Sequence, residues 1–211
     1  MAQVQTFPPL LGDTGRYKIR ILGNSGMRAS FTSTLGQKLA TILDVPFLSL
    51  DSIFWKPGWI ETPEQELRAK IQAFVHQNAE RGWVIDGDFE RKGGADIQQW
   101  ATDVIWLDPP LLLYFPRLFC RTFLRLIGLR PPCSSGCPET ISGIFFSKDS
   151  IILWCLSQHR PVIERNSARM KIWGLGVGSN PPEEQKMRRL GGWGAEVQTW
   201  LEKVEEFIRN K

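Results

Sequence analysis

The chain has 211 residues, 42% hydrophobic and 23% charged, with a net charge of +4. Those fractions are ordinary for a globular protein, and the length buries a real core in one domain with insertions. Four cysteines exclude a disulfide scaffold, and so mild a charge suits an anionic small ligand without arguing for nucleic acid.

The opening MAQVQTFPPLLGDTGR has no basic start followed by an apolar run, and residues 1–15 read as a short Pro-containing tail. With so few cysteines, a reducing, cytoplasmic compartment is expected. Tyr17–Leu22 is rich in β-favouring residues and predicts a first strand. Leu35, Leu39, Ile42 and Leu43 then recur at helical spacing, which predicts a helix from Ser33 capped by Thr32 or Ser33. Residues 46–50, PFLSL, predict a short second strand. Thr62 as a cap and Pro63 at the first helical position predict a second helix with Leu67, Ile71, Phe74 and Val75 on its apolar face.

Trp83–Gly87 predicts a third strand ending in a carboxylate, and Asp103–Asp108 a fourth stopped by two prolines. Residues 111–127 and 147–158 look helical, Arg169–Leu175 reads as a last strand, and Ala195–Arg209 is an amphipathic helix. Strands alternating with helices predict a three-layer α/β/α fold around a parallel sheet. In such sheets ligands bind beyond the carboxyl ends of the strands. Gly23–Gly26, Asp51, Asp86 and Asp108 each follow or end a predicted strand, so the polar groups converge on that rim.

Gly23-Asn24-Ser25-Gly26 opens like a phosphate cradle, in which backbone N–H groups turn toward an anion and the following helix presents its positive end. A GxxxxGK[ST] count from Gly23 places Arg28 where Gly belongs and Ala29 where Lys belongs. Counting back from the helix, Ser33-Thr34-Leu35 is intact, and MRASFT stands where a small residue, Gly and Lys are expected. Arg28 is then the loop's only cation. A short substitution with clean flanks has the form of misjoined coding sequence.

ILGNSG…STLGQKL, PFLSLDSIFWKPGW, GWVIDGDFER and ATDVIWLDPP with an Arg-studded helix after it resemble the adenylate kinase-like P-loop proteins. More narrowly, they resemble the bacterial group labelled DNA topology modulation proteins. The resemblance spans about Tyr17–Arg160. It implies a P-loop nucleotide-binding fold with a helical lid insertion over about 111–160, ATP and Mg2+ as cofactors, and phosphoryl transfer to a small, nucleotide-like acceptor.

Residue by residue, the resemblance puts Gly23, Asn24, Ser25 and Gly26 at the phosphates, with Thr34 beside them and Arg28 in the vacated cationic role. It makes Ser33 the magnesium-ligating hydroxyl and Asp86 the carboxylate that holds the metal through water. Asp51 falls near the acceptor or metal, and Arg91 suits an acceptor phosphate. Arg117, Arg121 and Arg125 match lid arginines, which supply charge to a transferring phosphoryl group.

Other readings stand beside this one. The turn at Pro57-Gly58 presents Trp55 and Trp59 as a cleft wall for the acceptor. Phe119, Phe123, Leu124 and Ile127 pack a lid onto the body, or lie on a membrane surface. The Arg residues of this stretch exclude a simple membrane span. Cys133, Cys137, Cys155 and His159 form a possible zinc set. The missing Lys favours a non-catalytic nucleotide sensor on the same fold, and the family label raises a DNA-associated factor.

Overall fold

The computed structural model describes residues 7–23, 32–94, 96–130, 136–137, 140–141, 144 and 150–211. Five strands form one sheet: β1 (Lys18–Gly23), β2 (Phe47–Ser49), β5 (Trp83–Asp86), β6 (Asp103–Asp108) and β7 (Met187–Gly191). Their spatial order is β2-β5-β1-β6-β7, and every neighbouring pair is parallel. A separate hairpin pairs β3 (Trp55–Lys56) with β4 (Ile60–Glu61). The helices are α1 (Ser33–Leu43), α2 (Leu50–Phe54), α3 (Glu64–Gln77), α4 (Ile97–Trp100), α5 (Leu111–Leu126), α6 (Ile151–Trp173) and α7 (Ala195–Arg209).

The strands are apolar on both faces because both faces are covered. On one, Ile19, Ile21, Val84, Ile105 and Leu107 pack with Leu35 and Leu39 of α1, Tyr114 and Leu118 of α5, and Trp200, Leu201 and Val204 of α7. On the other, Leu22, Ile85, Val104 and Trp106 pack with Leu50 and Phe54 of α2, Leu67 and Ile71 of α3, and Ile97 of α4. The result is the expected three-layer α/β/α architecture around a parallel sheet. Helix α6 joins the two layers: Cys155 near its start belongs to the first core, and Ile163, Met170 and Trp173 pack on the second.

Several local expectations are corrected. Arg169–Trp173 ends α6 rather than forming a strand, and the last strand is Met187–Gly191. The helix continues past Pro161, and its inward positions Val162, Asn166 and Arg169 keep helical spacing. The expected helix over 147–158 begins at Ile151 within the described residues, where the Ser150 side chain accepts from Leu153 N–H at 3.4 Å. Pro63 precedes α3 in an extended conformation, and Thr62 donates its hydroxyl to the Ile53 carbonyl instead of capping the helix.

Residues 7–12, within the expected tail, are bonded to the body. Leu10 is fully buried, and the Leu11 and Gly12 N–H groups donate to Asp103 at 2.7 and 3.0 Å. Burial pushes the Asp103 carboxyl above its ordinary pKa despite these donors.

Candidate functional site

Parallel pairing aligns the carboxyl ends of β2, β5 and β1: Ser49 lies opposite Asp86, and Asp86 opposite Ile21. Asp51 follows Ser49 in the first turn of α2 and is half-buried. Gly87 allows α2 to approach: a Cβ there would meet Leu50 Cβ at 3.0 Å on a backbone with φ +135°.

Asp86 is 2% exposed and receives two hydroxyls on one oxygen. Thr32 Oγ1 donates to Asp86 Oδ2 at 3.1 Å and Ser33 Oγ at 2.7 Å. Thr32 occupies the cap position of α1, but the hydroxyl expected to cap the helix is spent on Asp86. The amino end of α1, a positive pole, is thereby tied to the end of β5. A Ser hydroxyl beside a carboxylate is an all-oxygen donor pair of the kind Mg2+ takes, so the residues fit the metal expected of them. Thr34 is exposed in the first turn of α1, and Gly23 ends β1 opposite Leu107. Asn24, Ser25, Gly26 and Arg28 lie outside the described residues.

Two residues beyond Asp86, Asp88 anchors an ionic cluster that the sequence reading did not single out. Arg165 Nη2 reaches Asp88 at 2.6 Å, Arg169 Nη1 at 3.1 Å and Arg20 Nη2 at 3.4 Å. Arg169 also pairs with Glu90 and donates to Asn166 at 2.7 Å. Burial alone would raise the Asp88 carboxyl, but Arg169, Arg20 and Arg165 hold it well below the ordinary carboxylate range. The signal was Arg20 itself, a charge at an inward position of an apolar strand, which requires a buried carboxylate partner. Helix α6 crosses from one layer to the other and so delivers Arg165 and Arg169 to the rim.

At the end of β6, Asp108 is paired with Arg189 of β7, whose Nε donates at 2.8 Å and whose guanidinium lies 5.1 Å from the Trp106 ring centroid. This carboxylate ties two strands together.

Pro57 and Gly58 form the hairpin turn, and Trp55 and Trp59 meet edge to face at 5.4 Å. Trp55 is half-buried on the second core, and Trp59 is 37% exposed. Gly58 N–H donates to the Gly136 carbonyl at 2.9 Å, which ties the hairpin to the segment after α5. Arg91 lies in a short 3-10 turn, and its side chain is outside the described residues.

Of the lid arginines, Arg121 is buried, Arg125 half-buried and Arg117 exposed. The aromatics expected to pack that helix onto the body point the other way: Phe119 is 41% and Phe123 48% exposed. The face of the helix turned to the body carries Tyr114, Leu118, Arg121 and Thr122, on the side away from residues 119 and 123.

The possible zinc set divides. The Cys137 thiol donates to the Lys56 carbonyl at 3.3 Å, on the hairpin. His159 Nδ1 lies 2.7 Å from the Tyr114 hydroxyl, and burial pushes the Cys155 thiol up to about 11, offset in part by a hydrogen bond to Tyr114. Cys133 lies outside the described residues, among which no group of three or more His, Cys, Asp or Glu side chains is placed to hold a metal.

No family model matches the chain, and no curated protein does. Among solved structures it is similar to shikimate kinase from Acinetobacter baumannii in complex with shikimate, at 13% identity and a TM-score of 0.45, over 93% of this chain and 95% of that one. Shikimate kinase from Bacteroides thetaiotaomicron is 16% identical with a TM-score of 0.42, over 92% and 98% of the two chains. An uncharacterized protein from Eubacterium ventriosum is 13% identical with a TM-score of 0.41, over 93% and 100%. These likenesses are too distant to carry an argument about activity.

Proposed function

We propose that this chain is a P-loop protein of the adenylate kinase-like kind. It binds ATP with Mg2+ at the rim between α1 and β5, for phosphoryl transfer to a small, nucleotide-like acceptor. The observation that supports this most is the meeting of the Thr32 and Ser33 hydroxyls on Asp86 Oδ2, at the amino end of a helix and the carboxyl end of a strand. The strand order, with β1 between β5 and β6, supports it too, because β1 ends at Gly23 between the ends of β5 and β6.

In this reading Gly23–Gly26 and Thr34 cradle the phosphates, and Ser33 and Asp86 hold the metal. Arg28 supplies the loop's charge. Asp51, Trp55, Trp59 and Arg91 form the acceptor side, and the segment over about 111–160 is the lid that brings Arg117, Arg121 and Arg125. Bound magnesium supplies charge neutralisation at the phosphates. The chain's own part is to align the phosphates, exclude water and surround the transferring group with positive charge.

One observation favours a second reading, a non-catalytic nucleotide sensor: Ala29 stands where the loop Lys belongs. Calorimetry with ATP–Mg2+ tests the first half of the proposal, on this chain and on a companion in which residues 27–32 are replaced by Ser-Gly-Lys. Both should bind, the companion more tightly, and Asp86→Asn should weaken binding by about tenfold or more. Binding without transfer to any of several acceptors would select the sensor. A salt-dependent DNA shift indifferent to ATP would select a DNA-associated factor. If the companion is also inert, the nucleotide reading falls.

A further inference from the structure

The second half of α5 is inverted relative to an ordinary surface helix. Arg121 and Thr122 are buried, whereas Phe119, Phe123 and Ile127 stand 41%, 48% and 50% exposed on the other side. Leu112 lies on the same stripe, one turn-pair earlier, and is 77% exposed. Helix α6 borders this ridge: its Ile152 lines a small cavity together with Phe119 and Phe123, and the neighbouring Leu153 and Trp154 are exposed. A continuous apolar ridge on a helix surface marks an interaction site.

Charge decides what covers it. From Pro109 to Pro138 the sequence carries Arg117, Arg121, Arg125 and Arg130 and no Asp, Glu or Lys. Arg117 and Arg130 are exposed, as is Arg160 on α6. A second copy of this chain, docked face to face, would set arginine margins against arginine margins with no acid from this segment between them. An anionic bilayer surface is complementary on both counts. Rings and aliphatic chains enter the acyl boundary while guanidinium groups stay among the phosphates. No described helix is long and apolar enough to cross a membrane, so α5, about 24 Å long at 1.5 Å per residue, lies in the plane.

We infer that the outer face of α5, with the first turns of α6, docks this protein peripherally on anionic phospholipid. The inference does not require the nucleotide reading, because its test reads lipid binding through Phe123 and Ile127, neither of which that reading uses.

Co-sedimentation of the full chain with vesicles tests it. The chain should sediment with phosphatidylcholine vesicles containing phosphatidylserine, and about tenfold less with phosphatidylcholine alone. The Phe123→Asp/Ile127→Asp variant should lose binding by about tenfold or more while keeping the thermal melt of the parent, since both side chains face outward. The inference is overturned by absence of sedimentation with the anionic vesicles, or by binding that the double variant leaves intact. Light scattering that shows a dimer dissolved by the same variant would also overturn it, by making a second copy the occupant.

Discussion

Helices α5 and α7 pack on the same face of the sheet and both are amphipathic, yet the second half of α5 departs from the pattern that α7 keeps throughout. In α7, Trp200, Leu201 and Val204 are buried, while Glu202, Lys203, Glu205 and Glu206 are exposed. In the second half of α5 the charged residue Arg121 is buried, and Phe119 and Phe123 are exposed. Periodicity in a sequence defines two faces of a helix. Which one turns inward depends on what the body offers there. Under α7 it offers an apolar sheet; under the second half of α5 it takes in Arg121 and Thr122.

The sharpest way to break this contrast is to truncate both ridges. Trp200→Ala should cost about 4 kcal/mol in a denaturant titration, since the indole is buried and Nε1 donates to the Pro9 carbonyl at 3.0 Å. If Trp200→Ala costs no more than an exposed-site change, α7 is not the buried partner of the pair.

The next effect concerns charge brought inward at the rim. Asp88→Asn leaves Arg20, Arg165 and Arg169 without their shared carboxylate, and should cost about 3 kcal/mol in the same measurement. The pH dependence has a definite sign. The folded-state pKa of Asp88 lies below that of an ordinary aspartate, so its contribution is present above the ordinary value and is lost as pH falls toward the folded value. An acid titration of stability should therefore steepen below about pH 4 in the parent and be flatter in Asp88→Asn. Identical acid limbs would show that the cluster is not formed in solution.

The smallest expected effect sharpens the contrast most. Phe123→Ala should change stability by less than about 0.5 kcal/mol, because its ring faces outward. A cost comparable to that of Trp200→Ala would mean that the ring is buried in the folded chain and the inversion of α5 is not real.

The architecture was legible wherever one local rule dominated. DVIWLD followed by two prolines fixes β6 from Asp103 to Asp108, and Gly194 followed by an amphipathic run fixes α7. The rim was legible for the same reason: Asp86 is a carboxylate at the end of a fully buried strand. Other features depend on distant partners. Met187–Gly191 contains two arginines and does not resemble a strand, but Arg189 is drawn to Asp108 and the strand pairs along β6. Asp88 was passed over because its partners Arg165 and Arg169 lie on a helix that was read only as far as residue 158, with the stretch from Arg169 read as a strand. The direction of α5 was read from aromatic content, whereas the helix turns Arg121 and Thr122 inward and Phe119 and Phe123 outward.

The short segment at Pro8–Gly12 has a consequence for the order in which the chain folds. Pro8 accepts from Arg188, Pro9 from Trp200, and Leu11 and Gly12 donate to Asp103. Residues 8–12 thus wait, during synthesis, for partners 91 to 191 positions further along the chain, and contacts of such long span close slowly. The seam that joins residues 8–12 to β7 and α7 is completed only after β7 has been made, and the Trp200 indole, lodged in that seam, is a natural reporter of its closure.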